Sequence, residues 1–317
     1  MTKKEQLLTN TQIRRYLPRD FDAVKSLIQG LARLYEDEFN EYFFNSLMQV
    51  RTLDATAGTF VAEYNGKVCG CAFADTERDP RGVLYGGISN VNIAEQCQGK
   101  GLGSALVNEA IQFLSMFTIS RIWANINPNN ESMLRIFERR EFTRMLKVME
   151  KYVDPFTGIT RIDLKQGDIQ YRTVVEKDLT EVKDLIRQLA MVFNDDFDPY
   201  WFDLTVQKYF QDPAAHIFVA DKGGSIVGIA FAEVQRDPAG YSYGYISNIM
   251  VHPSARGQRI GTNLLQLAAS FLGNLNVPKI WANVTHDNAE MQDLFERQGF
   301  KHKFTVMAKK TAFDGAC

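Results

Sequence analysis

The run Gln98-Gly99-Lys100-Gly101-Leu102-Gly103-Ser104 separates a predicted strand, which ends at Ile93, from a predicted helix. In such a turn glycines allow backbone N–H groups to converge, and the start of the helix adds positive potential. The run therefore predicts an anion-binding site, although a plain tight turn fits it equally well. Two phosphate motifs do not fit: the P-loop needs Ser or Thr after its lysine, where Gly101 stands, and the glycine spacing is not G-x-G-x-x-G.

A second run of this kind follows at an offset of 158 positions (from residue 98 to residue 256): Arg256-Gly257-Gln258-Arg259-Ile260-Gly261-Thr262. The offset holds without a gap from Asp20 and Asp178 to Phe142 and Phe300. Among the identical segments are Phe60-Val61-Ala62 with Phe218-Val219-Ala220, and Trp123-Ala124-Asn125 with Trp281-Ala282-Asn283. Solenoid repeats have periods of about 20–50 residues, so this longer offset indicates two copies of a whole domain.

Turn signals between the copies, at Asp154-Pro155 and Gln166-Gly167-Asp168, indicate a linker. We predict a first domain over residues 11–153, a linker over 154–168 and a second domain over 169–311. In the first copy a helical apolar stripe follows Asp20, and two strand-like runs flank the Asn65-Gly66 turn. The predicted order continues with strand 85–93, helix 103–117, strand 122–126, helix 130–139 and strand 145–152. This order predicts a mixed α/β fold.

The composition is that of an ordinary globular protein: of 317 residues, 45% are hydrophobic and 23% are charged. A net charge of −2 offers no basic excess for nucleic acid, and no apolar stretch reaches the about 18 residues that suggest a membrane span. The N-terminus lacks the apolar core of a signal peptide, so we expect a cytoplasmic protein with neither nucleic-acid nor membrane partners. The four cysteines lack zinc-ligand spacing, and we expect free thiols and no metal site.

Both copies resemble the GNAT superfamily of acyl-CoA-dependent N-acyltransferases. The pattern Gln98-x-x-Gly101-x-Gly103 is similar to the family signature Q/R-x-x-G-x-G/A. The family's asparagine-led helix ending in Gly-Phe is similar to residues 288–300 and, with Glu141 in place of the glycine, to residues 130–142. The resemblance implies two tandem GNAT-like domains, each a mixed, mostly antiparallel central sheet flanked by helices.

The resemblance also implies acetyl-CoA, or another acyl-CoA, as the cofactor. In the family, the backbone of the strand before the loop pairs with the pantetheine arm; the corresponding residues are Val91, Asn92 and Ile93, and Ile249, Met250 and Val251. Loop amides hold the pyrophosphate, which implies residues 98–104 and 256–262, and Asn130 and Asn288 stand where the family often places an asparagine near the pantetheine. Because Arg259 replaces the middle glycine, we expect the first copy to be the surer acyl-CoA site.

The catalytic residues are harder to assign, because both copies depart from the family pattern. Where many members carry a tyrosine on the last helix, Phe137 and Phe295 stand here, and the frequent glutamate of the third strand is replaced by Ser89 and Ser247. Acids and phenols at shared positions are therefore the candidates for proton transfer, although each fits an ordinary strand-end or surface role as well. They are Asp75 with Glu233, Glu63 with Asp221, and Tyr85 with Tyr243.

Two segments, 35–44 and 193–202, interleave carboxylates with aromatic residues. They fit a pocket for a cationic amine and, equally, a solvated acidic helix face. We expect direct transfer of an acetyl group to a primary amine of a small acceptor, by a monomer that is an internal pseudo-dimer. The alternative is a non-catalytic CoA-binding sensor or interaction module, which the missing tyrosine and glutamate favour.

Overall fold

The structure, a computed structural model, describes residues 10–153 and 164–311. The first copy contains β1 (Thr11–Arg15), α1 (Phe21–Leu34), α2 (Glu41–Leu53), β2 (Ala57–Tyr64), β3 (Lys67–Arg78), β4 (Leu84–Ile93), α3 (Leu102–Leu114), β5 (Arg121–Ile126), α4 (Glu131–Glu138) and β6 (Thr143–Tyr152). The second contains β7 (Leu164–Gln166), β8 (Ile169–Thr173), α5 (Leu179–Phe193), α6 (Pro199–Gln211), β9 (Ala215–Lys222), β10 (Ser225–Arg236), β11 (Ser242–Val251), α7 (Ile260–Asn274), β12 (Lys279–Thr285), α8 (Ala289–Arg297) and β13 (Lys301–Lys310).

Most of these elements follow from local sequence, and the predicted ones are present. The Asn65-Gly66 turn of the β2–β3 hairpin has φ angles of 51° and 75°, which a glycine adopts without steric cost. Helix α2, which the sequence did not predict, begins after Asn40, whose side chain accepts a hydrogen bond from the Phe43 amide at 2.9 Å. Strands β1 and β7 also go beyond the predicted elements; β7 lies in the described end of the predicted linker, and residues 154–163 lie outside the described residues.

The described strands form one 13-stranded sheet in the order β1-β2-β3-β4-β5-β13-β6-β12-β11-β10-β9-β8-β7. The neighbours β4 and β5 are parallel, as are β11 and β12, and the other neighbouring pairs are antiparallel. This arrangement confirms the predicted fold class, a mixed and mostly antiparallel sheet flanked by helices.

The two copies exchange their last strands. Strand β13 of the second copy pairs with β5 of the first, and β6 of the first copy pairs with β12 of the second. The two exchanged strands also pair with each other at the centre of the sheet. Backbone hydrogen bonds therefore join the two copies into one continuous sheet, although each copy occupies its own stretch of the chain.

Reciprocal ion pairs close the same junction. Asp37 of the first copy pairs with Lys279 of the second, whose side chain is 1% exposed. At the corresponding place Asp195 of the second copy, 2% exposed, pairs with Arg121 and, at 3.1 Å, with Arg81 of the first. Burial raises the pKa of Asp195, and both arginines act against that rise. Neither interpretation of the acidic segments fits these two aspartates, because they hold the copies together instead of facing solvent or an acceptor.

The described cysteines Cys69, Cys71 and Cys97 are buried free thiols, as expected, and Cys317 lies outside the described residues. Within the described ranges, the helices are all too short or too polar to span a membrane.

Candidate functional site

A cleft opens in the sheet where β4 and β5 diverge. Strand β4 pairs with β5 over Gly86–Ile88 alone, whereas its pairing with β3 on the other side continues to Ile93. The edge of β4 that carries Val91, Asn92 and Ile93 is therefore left open toward β5. An open strand edge can pair with an extended ligand as with an added strand.

The second copy repeats this cleft. Strand β11 pairs with β12 over Gly244–Ile246, which leaves Ile249, Met250 and Val251 beyond the paired segment. Strands β4 and β11 also each carry a bulge where they diverge from β5 and β12. At these bulges Asn90 and Asn248 lie in the left-handed region, at φ angles of 53° and 52°. A bulge re-aims the strand locally and often accompanies a functional site.

The glycine-rich loop leads from the open edge of β4 to the start of α3. Gly99 and Gly101 have φ angles of 73° and 78°, and a side chain at either would meet no atom within 4 Å. The first amide bonded within the helix is that of Ala105, which donates to the Gly101 carbonyl at 3.0 Å. The N–H groups of residues 102–104 are therefore free of helical partners and can bind an anion.

Two side chains of this loop donate hydrogen bonds to nearby backbone carbonyls. The amide of Gln98 donates to the Ile93 carbonyl at 3.2 Å, and the ammonium of Lys100 donates to the Gln96 carbonyl at 2.6 Å. The first bond ties the loop to the end of β4 and the second closes the loop on the turn that precedes it, so the arrangement favours anion binding by the backbone.

The second loop has the same backbone shape despite its different sequence. Gly257 has a φ of 77°, and Arg259 at the start of α7 has a φ of 59°. A residue with a side chain pays about 1–2 kcal/mol for the left-handed conformation, so Arg259 is accommodated at some cost. Glu141 is a parallel case in the first copy, with a φ of 66° where Gly299 has 84°.

The asparagines of the second signature start helices. The Asn130 side chain accepts a hydrogen bond from the Met133 amide at 3.1 Å, and Asn288 accepts one from the Met291 amide at 3.0 Å. Each oxygen thus caps its helix, α4 or α8. Phe137 and Phe295, which replace the usual tyrosine, are buried core residues at 1% and 0% exposure.

Two catalytic candidates of the first copy, Asp75 and Tyr85, share one face of β3 and β4, whereas the third, Glu63, lies on β2 in an ion pair with Arg14 at 2.9 Å. Asp75 lies opposite Gly87 in the β3–β4 register, and Arg51 of α2 forms an ion pair with its carboxylate. Burial raises the pKa of Asp75, and Arg51 partly offsets that rise. On the same face the Tyr85 hydroxyl donates to the Glu77 carboxylate at 2.9 Å, and burial raises the pKa of Tyr85 well above its usual value.

In the second copy a neutral glutamine, Gln235, stands at the position of Glu77. The Tyr243 hydroxyl donates to the Gln235 side-chain oxygen at 3.0 Å, and burial raises the pKa of this tyrosine as well. Glu233 accepts a hydrogen bond from Gln235 at 2.8 Å and lies 3.6 Å from the Lys208 ammonium. A tyrosine with a carboxylate partner, able to accept its proton, is therefore present in the first copy and replaced by a tyrosine–amide pair in the second.

Glu77 is not among the candidates predicted from the sequence, because the corresponding residue of the second copy is Gln235 and the candidates are acids that both copies share. The signal that could have found it is alternation along β3: Asp75 and Glu77 are two residues apart and so point to the same face of the strand.

The comparisons with known proteins agree with this geometry. The model of the acetyltransferase (GNAT) family matches residues 24–142 and again residues 183–300. A mycothiol acetyltransferase of Acidothermus cellulolyticus is 27% identical over an alignment of 227 residues, and the match covers 66% of this chain and 67% of that one.

Solved structures share the fold over nearly the whole chain. A GCN5-related N-acetyltransferase from Sphaerobacter thermophilus superposes with a TM-score of 0.66 at 20% identity, covering 95% of each chain. A tandem GNAT protein from the clavulanic acid biosynthesis pathway gives a TM-score of 0.58 at 14% identity, covering 95% of this chain and 98% of that one. The family model matches twice, and the two matches together cover most of the chain. The chain therefore belongs to the GNAT acetyltransferase family, as a tandem of two copies.

Proposed function

We propose that the protein transfers an acetyl group from acetyl-CoA to the primary amine of a small, cationic acceptor, and that the first copy carries the reaction. The observation that carries this proposal is the continuous path from the open edge of β4, through the loop with Gly99 and Gly101, to the free amides at the start of α3. An extended arm that ends in a diphosphate fits such a path.

When bound, acetyl-CoA supplies an activated acyl group as a thioester. The backbone of residues 91–93 would orient the arm, and the amides of residues 99–104 would hold the diphosphate. A backbone N–H near Asn92 is suited to stabilise the charge that develops on the acyl oxygen. This assignment leaves proton removal from the acceptor to side chains.

A cationic amine must lose a proton before it can attack. Tyr85 and Glu77 provide a route for that proton: the tyrosine oxygen can accept it through water while its own proton passes to the carboxylate, 2.9 Å away. Asp75 lies nearer to the cleft along the strand, but its ion pair with Arg51 occupies the carboxylate. We therefore assign proton acceptance to Glu77 through Tyr85, and a supporting electrostatic role to Asp75.

The test has two stages. Isothermal titration of the intact chain with acetyl-CoA should show binding, and thiol release should then rise when a suitable amine is added. The amine panel includes polyamines, amino acids, aminoglycosides and the thiol-bearing amines cysteine and cysteamine, because the relative described above is named a mycothiol acetyltransferase. For the two thiol-bearing amines the acetylated product is measured, because their own thiols would mask the thiol of released CoA. A folded sample that does not bind acetyl-CoA would refute the proposal.

A second function, non-catalytic CoA binding as a sensor or interaction module, is favoured by the phenylalanines at 137 and 295. The two functions differ in the second stage of the test. Binding of acetyl-CoA with no acetyl transfer across the whole panel supports the module, whereas transfer to any amine supports the enzyme.

A further inference from the structure

Strands β4 and β11 differ at five of their ten positions, and one of these differences replaces a glycine by a large side chain. Gly86 and Gly244 correspond to each other, and they face α3 and α7, respectively. A Cβ at Gly86 would lie 2.9 Å from the side chains of Leu114 and Ile119, and one at Gly244 would lie 2.8 Å from Leu272. Both positions therefore need glycine for packing, and the difference lies at the next residue, which is Gly87 in one copy and Tyr245 in the other.

Nothing in the fold of the first copy requires a glycine at position 87. Its φ angle lies outside the left-handed region. A Cβ added there would meet one atom within 4 Å, the Asp75 carbonyl oxygen at 3.9 Å, which is ordinary contact. The missing side chain thus leaves open space above β4, on the face opposite α3.

In the second copy a tyrosine occupies the corresponding space. The side-chain amide of Asn283 donates to the Tyr245 hydroxyl at 2.7 Å. Burial raises the pKa of Tyr245, and the nearby carboxylates of Glu233 and Asp79 raise it further. The phenol of Tyr245 is therefore neutral, and its hydrogen bond fixes it in this space.

Position 87 also lies at the closed end of the cleft. A ligand that follows the open edge of β4 from Ile93 toward Ser89 meets the point where β4 joins β5, at Gly86–Ile88. There its end must leave the plane of the sheet. The α3 side is filled by Leu114 and Ile119, whereas the opposite side is open at Gly87.

We propose that Gly87 creates the acceptor subsite of the first copy and that Tyr245 closes the corresponding subsite of the second, so that only the first copy has room for a group beyond the CoA sulfur. This inference rests on the proposed function and specifies which copy selects the acceptor, and by what means. Gly87 acts through the space it leaves, and it is a specificity-determining residue.

The experiment compares the binding affinities of two CoA derivatives, one with and one without a bulky group on the sulfur, and so requires no known acceptor. The intact chain is titrated with CoA and with S-benzyl-CoA, whose ring matches a tyrosine side chain in size. The variants are Gly87→Tyr, which copies the second half of the chain, and Gly87→Ala, which controls for the loss of glycine without filling the space. The wild type and Gly87→Ala should bind both probes with similar affinity.

Gly87→Tyr should weaken S-benzyl-CoA binding at least about tenfold, because overpacking a filled site is costly, while CoA affinity changes less than about threefold. Retained CoA binding also shows that the variant is folded. The inference is overturned if S-benzyl-CoA binds Gly87→Tyr as well as it binds the wild type, if the wild type rejects it, or if Gly87→Tyr loses CoA too. Failure of the wild type to bind CoA at all would overturn the proposed function together with the inference.

Discussion

Replacing Glu77 by glutamine tests whether the Tyr85–Glu77 pair accepts the proton of the acceptor amine. The hydroxyl of Tyr85 donates to Glu77 at 2.9 Å, and the second copy shows that glutamine can take the same role, since Tyr243 donates to Gln235 at 3.0 Å. Glu77→Gln therefore keeps the hydrogen bond and the shape of the site, and removes the ability to accept a proton.

The expected effects on stability and on rate are very different in size. Hydrogen bonds to charged and to neutral partners differ by about 1 kcal/mol, and because Glu77 is exposed the free energy of unfolding should change by less than that. General base catalysis contributes about 100- to 10,000-fold, and a pair that acts through water belongs at the low end. We therefore expect kcat to fall about 100-fold.

The assay is thiol release from acetyl-CoA with the most active amine of the panel, alongside urea unfolding of the same samples. Glu176→Gln removes an exposed carboxylate in the turn between β8 and α5, and serves as the matched control. A Glu77→Gln variant that retains more than half of the wild-type kcat would refute the assignment.

Three further results are expected. Gly101→Val should weaken CoA binding about tenfold by titration, because a β-branched residue is strained at the observed φ of 78°; unchanged affinity would contradict the loop assignment. Asp37→Asn should destabilise the fold by about 2–3 kcal/mol in urea unfolding, less than for an isolated buried pair because Glu150 lies 3.7 Å from Lys279; a loss below about 0.5 kcal/mol would show that the pair contributes little. The Arg14 hydrogen bond lowers the pKa of Asp20, so its stabilisation is present above about pH 4 and is lost as the pH falls further; unfolding of Asp20→Asn should show a smaller loss over that range than the wild type.

The repeat and the glycine-rich runs were sufficient to predict much of the fold. Alternation and turn residues located β2, β3 and β4, and the apolar stripe after Asp20 located α1, because those signals are local. Helix α2 was missed because three exposed apolar residues, Tyr42, Val50 and Leu53, obscure the helical period of its buried residues. Its start is explained by the Asn40 cap, which is visible in the sequence only once a helix is suspected.

The junction of the copies could not be predicted from local patterns. Strand β6 reads the same whether it pairs within its own copy or with β12, because pairing partners at long range leave no mark on a strand's own alternation. The ion pair of Asp37 with Lys279 joins residues that are far apart in the chain, so its acidic member was expected at the surface or at an acceptor.

The part of the candidate site that is formed by backbone groups could be predicted from the sequence, whereas the part that depends on side chains could not. Gly99 and Gly101 indicate the backbone conformation of the loop from the sequence alone, because positive φ angles favour glycine. The roles of Glu77 and Gly87 depend on which face of β3 and β4 is open, and this becomes visible only with the register and the neighbouring helices in place.

Hydrogen–deuterium exchange of the intact chain, with and without acetyl-CoA, tests most directly whether the cleft of the first copy binds the acyl donor. We predict slower exchange in peptides that cover residues 91–104, because acetyl-CoA would engage the strand edge and the loop amides together. Binding of acetyl-CoA without slower exchange across residues 91–104 would contradict the account.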